Sequence, residues 1–164
     1  VAEKRSVLRD LHDQLREGRI RKTYVALLAG RLKGATHTVN APLHKGNLPN
    51  GERIVRVSRD GKEALTEFRV LDRIGNATLV EASPKTGRTH QIRVHAQYLG
   101  HPLVGDEKYG NDDFNKAMKA HGVNRLFLHA RDLRVKLNGA ANYLNLTCPL
   151  EPDLEAVLEG LRRD

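Results

Sequence analysis

The chain is divided into short apolar runs by turn-forming residues, and this punctuation constrains its fold more than any other feature. Thr23 to Ala29 (TYVALLA), bounded by Gly30, reads as a buried strand. Ile54 to Ser58 (IVRVS) alternates as a half-exposed strand does, and a turn at Asp60-Gly61 follows. Ala64 to Leu71 and Thr78 to Ala82 read as two more strands joined around Gly75-Asn76. Leu126 to Leu137 and Tyr143 to Cys148 read as an antiparallel pair across Asn138-Gly139. Residues 31–52 carry turn signals at Gly34, Pro42, Gly46 and Pro49-Asn50-Gly51, and no strand is read there. Helical spacing appears in four places. Val7, Leu8, Leu11 and Leu15 follow a capping Ser6 and end at Gly18; Ile92, Ala96 and Leu99 lie within 90–99; Phe114, Ala117 and Met118 mark a short helix; and Leu154, Val157, Leu158 and Leu161 mark a closing amphipathic one. Strands outnumber helices and mix with them irregularly. The expected fold is therefore α+β, with a mixed, largely antiparallel sheet and flanking helices in a single domain.

Charge is the first indication of function. Lys plus Arg total 28 against 20 Asp plus Glu, a net charge of +8. Such a balance suits a polyanion partner, nucleic acid above all, with a solubilising surface as the alternative. There is no Trp, and only four Tyr and three Phe, which argues against a stacking platform for unstructured single strands. No apolar run approaches the length of a membrane span. One cysteine excludes an internal disulfide and a CxxC zinc site, and fits a reducing, cytoplasmic setting.

Chemistry concentrates between Ser83 and His95 (SPKTGRTHQIRVH). Lys85, Arg88, Arg93, His90 and His95 gather there, and no acidic residue occurs between Glu81 and Asp106. A glycine-containing loop that runs cations into a helix start is unfavourable unless an anion is present, which points to a phosphate or carboxylate site; a solvated basic loop is the alternative. Arg93 sits one turn inside the helix beside the apolar Ile92. A guanidinium held there calls for a carboxylate partner or must snorkel to solvent, and nothing near it in sequence supplies the carboxylate. Other schemes are weaker. His90 and His95 are five apart, not at the i, i+4 spacing of helical metal ligands, and there is no HExxH, GxSxG, P-loop or GxGxxG. Cys148 is expected in the core, and His129 as a hydrogen-bonded sheet histidine rather than a catalyst.

The run Lys85-Thr86-Gly87-Arg88-Thr89-His90-Gln91-Ile92-Arg93-Val94-His95 resembles the GRTHQIRVH signature of pseudouridine synthases of the RluA branch. Three further segments resemble the same family in the same order: Lys22 to Leu27 its K-x-Y-x-A-L strand, His101 to Gly110 its HPLVGDxxYG loop, and Leu126 to Ala130 its LxLHA strand. Gly51 to Ser58, Gly61-Lys62, Phe114-Asn115 and Arg125 to Phe127 are most similar to the RluC type, which modifies large-subunit (23S) ribosomal RNA. The resemblance implies isomerisation of uridine to pseudouridine without cofactor or metal, on a nucleotide flipped out of its stack. By position it assigns Tyr24 to the tyrosine that packs against the target base and assists proton removal from C5. Arg93 matches the basic residue that pairs with the catalytic aspartate, and Leu126 or Leu128 the apolar wall under the uracil. Lys85, Arg88 and His90 are placed for phosphate contacts. The family's nucleophilic aspartate lies in an H-R-L-D-x-x-T-S-G segment that this sequence does not contain. Asp10 and Asp13 lie on a charged helix face, and Asp106 belongs to a structural loop. The chain opens at Val1, and its one methionine is Met118. The expectation is the C-terminal part of a catalytic domain, with the nucleophile segment and an S4-like RNA-binding domain upstream. Alone, this part is expected to be inactive and monomeric. The competing reading is a non-catalytic RNA-binding module on the same fold.

Overall fold

The structure, a computed structural model, describes residues 21–136 and 143–163. The helix expected over residues 6–18 and the Asn138-Gly139 turn lie outside them. The apolar run of the sequence becomes strand β1 (Arg21–Ala29). β2 (Thr36–Asn40), β3 (Leu43–Asn47), β4 (Arg53–Val57), β5 (Leu65–Ile74), β6 (Ala77–Pro84), β7 (Leu128–Lys136) and β8 (Tyr143–Thr147) follow. The helices are α1 (Gln91–Tyr98), α2 (Asp112–Met118), a 3-10 turn at Lys119–His121, and α3 (Pro152–Arg163). Six strands form one sheet in the order β2-β5-β6-β1-β7-β8, and β3 pairs with β4 in a separate hairpin. Every strand pairing among the described residues is antiparallel.

β1 lies inside the sheet and is covered on both faces, which is why its sequence is nearly continuous in apolar residues. Val25 and Leu27 face one layer with Met118, Phe127 and the α3 residues Leu154, Val157, Leu158 and Leu161. Ala26 and Leu28 face the other, with Phe68, Val80, Ile92, Ala96 and Leu103. Tyr24 packs against this second layer, at the end of the sheet where α1 begins.

Two corrections concern the elements. Residues 31–52 contain β2 and β3, where only turns were read. Their patterns carry little hydrophobic signal, since Val39 is the buried residue of β2 and Leu43 that of β3. Cys148 is exposed, not in the core, because β8 ends at Thr147 and the chain leaves the sheet there. A register shift interrupts the β1/β7 ladder. Tyr24 opposes Ala130 and Thr23 opposes Asp132, so Arg131 is the extra residue of a bulge beside Tyr24.

Candidate active site

Strand β1 delivers Tyr24 between two small neighbours, Ala82 on β6 and Ala130 on β7, which leave room around the ring. Burial raises the pKa of its hydroxyl above the usual phenol value, so Tyr24 is a neutral phenol at pH 7. Leu126 and Leu128, partly buried at the start of β7, pack on the same layer.

The segment between β6 and α1 is held by Gln91. Its Oε1 accepts from Thr86 Oγ1 (2.6 Å) and the Arg88 amide (3.1 Å), and its Nε2 donates to Leu65 O and Thr66 Oγ1 (2.9 Å each). Gln91 is thus fully hydrogen-bonded, and it ties the loop before the helix to β5. His90 precedes it in the left-handed region (φ 53°), rare for a side chain with a Cβ. Arg88 donates Nε to Glu63 O at 2.7 Å, and Lys85 is anchored by its amide to Leu65 O at 2.8 Å with its side chain exposed.

Arg93 has a carboxylate partner after all. Asp106, thirteen residues on, accepts its Nε at 2.9 Å and its Nη2 at 2.7 Å in a bidentate pair. The Asp106 side chain is 0% exposed, and Oδ1 also accepts the amides of Lys108 (3.1 Å) and Tyr109 (3.0 Å). Burial alone would raise the Asp106 pKa; the hydrogen bonds and charge of Arg93 outweigh it and keep the pKa below the ordinary carboxylate value. Nη1 of Arg93 makes no hydrogen bond among the described residues. The Arg93 guanidinium also lies 4.9 Å from the Tyr109 ring centroid. Gly105 makes this loop possible. It has φ +82°, and a Cβ there would lie 2.1 Å from Arg125 O.

Tyr109 carries the network on to His90. Its Oη accepts the Val55 amide at 2.9 Å and lies 2.7 Å from His90 Nδ1. The assignment that gives the buried Tyr109 hydroxyl proton an acceptor has it donating to Nδ1, with the proton of His90 on Nε2. Burial, then the charges of Arg93 and Lys108, lower the His90 pKa, so the ring is neutral at pH 7. His95 plays a different part. Fully buried, it meets Thr66 Oγ1 through Nδ1 (2.7 Å) and Ala41 O through Nε2 (2.9 Å), and it joins α1 to β5 and to the turn before β3. His129 meets Cys148 O through Nε2 at 3.0 Å, a sheet histidine with a satisfied ring nitrogen.

Tyr24, Arg93, Leu126, Leu128, Lys85, Arg88 and His90 all line one cleft of about 430 Å³, with Lys22 and Gln91 among its other walls. Spacing alone did not identify Asp106 as Arg93's partner, nor Tyr109 and Gln91 as supports. The available signal was two unexplained charges, a lone Arg on an apolar helix face and a lone Asp after a glycine. Among the described residues no group of three or more His, Cys, Asp or Glu could hold a metal ion, and no helix is long and apolar enough to cross a membrane.

Comparison with known proteins bears on this arrangement. Residues 1–98 match the family model described as RNA pseudouridylate synthase. The chain is 48% identical over 164 residues to ribosomal large subunit pseudouridine synthase C of Haemophilus ducreyi, covering 100% of this chain and 51% of that protein. It is 49% identical over 162 residues to the protein of that name from Pasteurella multocida, and 48% identical over 164 to that from Escherichia coli strain K12, covering 50% and 51% of them. The chain therefore spans about half the length of the curated relatives it matches. Among solved structures, human RNA pseudouridylate synthase domain containing 1 superposes with a TM-score of 0.74 at 29% identity, over 90% of this chain and 62% of that one. Domain containing 4 superposes with a TM-score of 0.74 at 26% identity, over 94% and 67%. The antiparallel sheet, the GRTHQIRVH helix start and the sequence relatives converge, and the chain belongs to the RNA pseudouridylate synthase family.

Proposed function

We propose that this chain forms most of the catalytic cleft of an RNA pseudouridine synthase acting on uridines of large-subunit (23S) ribosomal RNA. One observation carries the reading: the tyrosine, arginine, two leucines and three cationic-loop residues singled out in the sequence line a single cleft of about 430 Å³, a nucleotide-sized space. The names of the relatives, similar along the whole chain, support the same substrate class.

The reaction is an isomerisation. The N1–C1′ glycosidic bond breaks, the uracil turns within the cleft, C5 bonds to C1′, and the C5 proton is lost while N1 gains one. Leu126 and Leu128 give the turning base an apolar wall. Tyr24 enters as a neutral phenol against its face and assists removal of the C5 proton. Lys85, Arg88 and His90 hold phosphates at the rim. A nucleophilic aspartate supplied from outside these residues, on a segment upstream with an S4-like domain beyond it, would meet Arg93 at Nη1, the edge that Asp106 leaves open. Arg93 then favours the charged form of that carboxylate. The enzyme works as a cytoplasmic monomer without metal or cofactor.

Tritium release from rRNA labelled at uridine C5 tests the reading. The 164-residue chain is compared with the same chain extended upstream. Release by the extended form alone is expected. Release by the short chain would refute the external nucleophile. Release by neither, with salt-dependent RNA binding retained, would favour the binding module.

A further inference from the structure

A second groove of about 400 Å³ adjoins the cleft, and the two share Gly87 and Arg88 as a common wall. Its floor is aliphatic, Leu43 and Val55, and its rim carries Lys45, Lys62 and Arg88 against one carboxylate, Asp60. His44 supplies the one ring of its lining, which holds no Phe, Tyr or Trp.

The groove is a built surface. The turn after β4 is bonded to β3 by Leu43 N to Lys62 O (2.9 Å) and Lys62 N to Leu43 O (2.8 Å). Gly61 lies so close that a Cβ there would be 2.4 Å from the Leu43 carbonyl carbon. Arg88 is tied to the same turn through Glu63 O, which leaves both terminal nitrogens of its guanidinium without a hydrogen bond among the described residues. Lys62, Lys45 and Arg88 are therefore held on elements fixed to one another.

Charge is distributed unevenly over the molecule. Several arginines elsewhere are neutralised, Arg69 by Glu81 at 2.8 Å, Arg131 by Asp132 at 2.8 Å, Arg125 by Asp153 at 2.8 Å and Arg162 by Asp72 at 3.5 Å, while Arg31 and Arg73 donate to backbone carbonyls. On the hairpin and its turn, Lys45, Arg53, Arg56, Arg59 and Lys62 are exposed and make no ion pair among the described residues. Exposed cations without ion-pair partners, beside a cleft whose rim is also cationic, suit a polyanion running from one cavity into the next.

We propose that this groove binds the sugar-phosphate backbone of the RNA next to the nucleotide in the cleft, with Lys45 and Lys62 on successive phosphates and Arg88 at the junction. This rests on the proposed RNA substrate. With three cations on its rim and no Phe, Tyr or Trp to stack a base on, the contacts go to phosphate and the groove is indifferent to sequence.

The test is binding of a fluorescein-labelled single-stranded RNA to the chain, read by anisotropy from about 50 to 200 mM salt. Each phosphate contact on a single strand contributes about 0.7 to the slope of log affinity against log salt, so Lys45→Ala with Lys62→Ala should reduce that slope by about 1.4. The reduction should be equal for RNA with and without uridine, and Lys45→Arg with Lys62→Arg should restore the slope. An unchanged slope in the alanine double variant overturns the groove, as does a loss confined to uridine-containing RNA. Both lysines are exposed, and a melting temperature equal to that of the unaltered chain verifies the fold; Lys45→Gln with Lys62→Gln gives an independent charge-removing pair. Pseudouridine formation by the upstream-extended chain with an unchanged slope refutes the groove alone. No RNA binding by the unaltered chain refutes the groove, and no tritium release by the upstream-extended chain in addition refutes the parent function with it.

Discussion

Replacing Asp106 by asparagine removes one negative charge and almost no volume. It also turns an acceptor into a donor. The new Nδ2–H₂ would face either Arg93 or the Lys108 and Tyr109 amides, all of them donors. Removing one partner of a buried ion pair costs about 3–5 kcal/mol. Arg93 keeps 21% of its side chain exposed, so water relieves part of its stranded charge and the lower figure, about 3 kcal/mol, applies. At about 2–4 °C per kcal/mol for a chain of this size, Asp106→Asn should melt roughly 6–12 °C below the unaltered chain at pH 7 in circular dichroism. Arg93→Met added to Asp106→Asn removes the stranded charge and should raise the melting temperature above that of the single variant. The pH dependence has a definite sign. The native pKa of Asp106 is below its unfolded value of about 3.9, so its contribution is present above that pH and is lost as pH falls through the lower native value. The gap between the two chains should therefore be widest at neutral pH and close on acidification. A variant melting within about 2 °C of the unaltered chain at pH 7 would refute the argument that Asp106 holds Arg93.

Three further outcomes are expected. Burial lowers the native His95 pKa below its unfolded value of about 6.5, so stability should fall as pH drops from 7 toward 5, and this limb should flatten in His95→Gln; a melting temperature independent of pH there would contradict the buried neutral ring. Gln91→Ala strands Thr86, the Arg88 amide, Leu65 O and Thr66, and should cost about 2–3 kcal/mol; the 85–89 segment should then be cut by trypsin at Lys85 and Arg88 well before global unfolding, and protection equal to that of the unaltered chain would count against Gln91 as its anchor. Tyr24→Phe loses a hydroxyl that has no hydrogen-bond partner among the described residues, so melting should change by less than about 0.5 kcal/mol, while tritium release by the upstream-extended chain should fall at least about 100-fold; undiminished release would remove Tyr24 from proton transfer.

The strands that carry the site were legible because their environment is written in local pattern. β1 and β6 are covered on both faces and read as runs of buried residues; β4 and β5 are half-covered and alternate. β2 and β3 were not legible because each buries few side chains and their polar residues point to solvent. The cleft residues were legible because a family resemblance lists them together. The pairing of Arg93 with Asp106 was not, because it depends on two loops folding back on one another, and spacing along the chain says nothing of that. Cys148 was misjudged for a related reason: its apolar neighbours belong to an edge strand that ends one residue before it.

The bulge at Arg131 has a consequence for which side chains the RNA meets. In an uninterrupted antiparallel ladder Asp132 would follow Leu128 and Ala130 onto the Tyr24 side, opposite Lys22, and set a carboxylate in the wall of the cleft. The extra residue inverts the parity of β7 once. Asp132 instead joins Arg131 and Glu81 on the reverse side, while the half of the strand nearest the uracil wall keeps its orientation. One inserted residue thus acts as a polarity switch, through which a single strand presents a neutral side to a polyanion and an ion-paired side behind it. Deleting Arg131 would regularise the ladder with Asp132 still opposite Thr23, and would remove the guanidinium that pairs with Glu81 and Asp132.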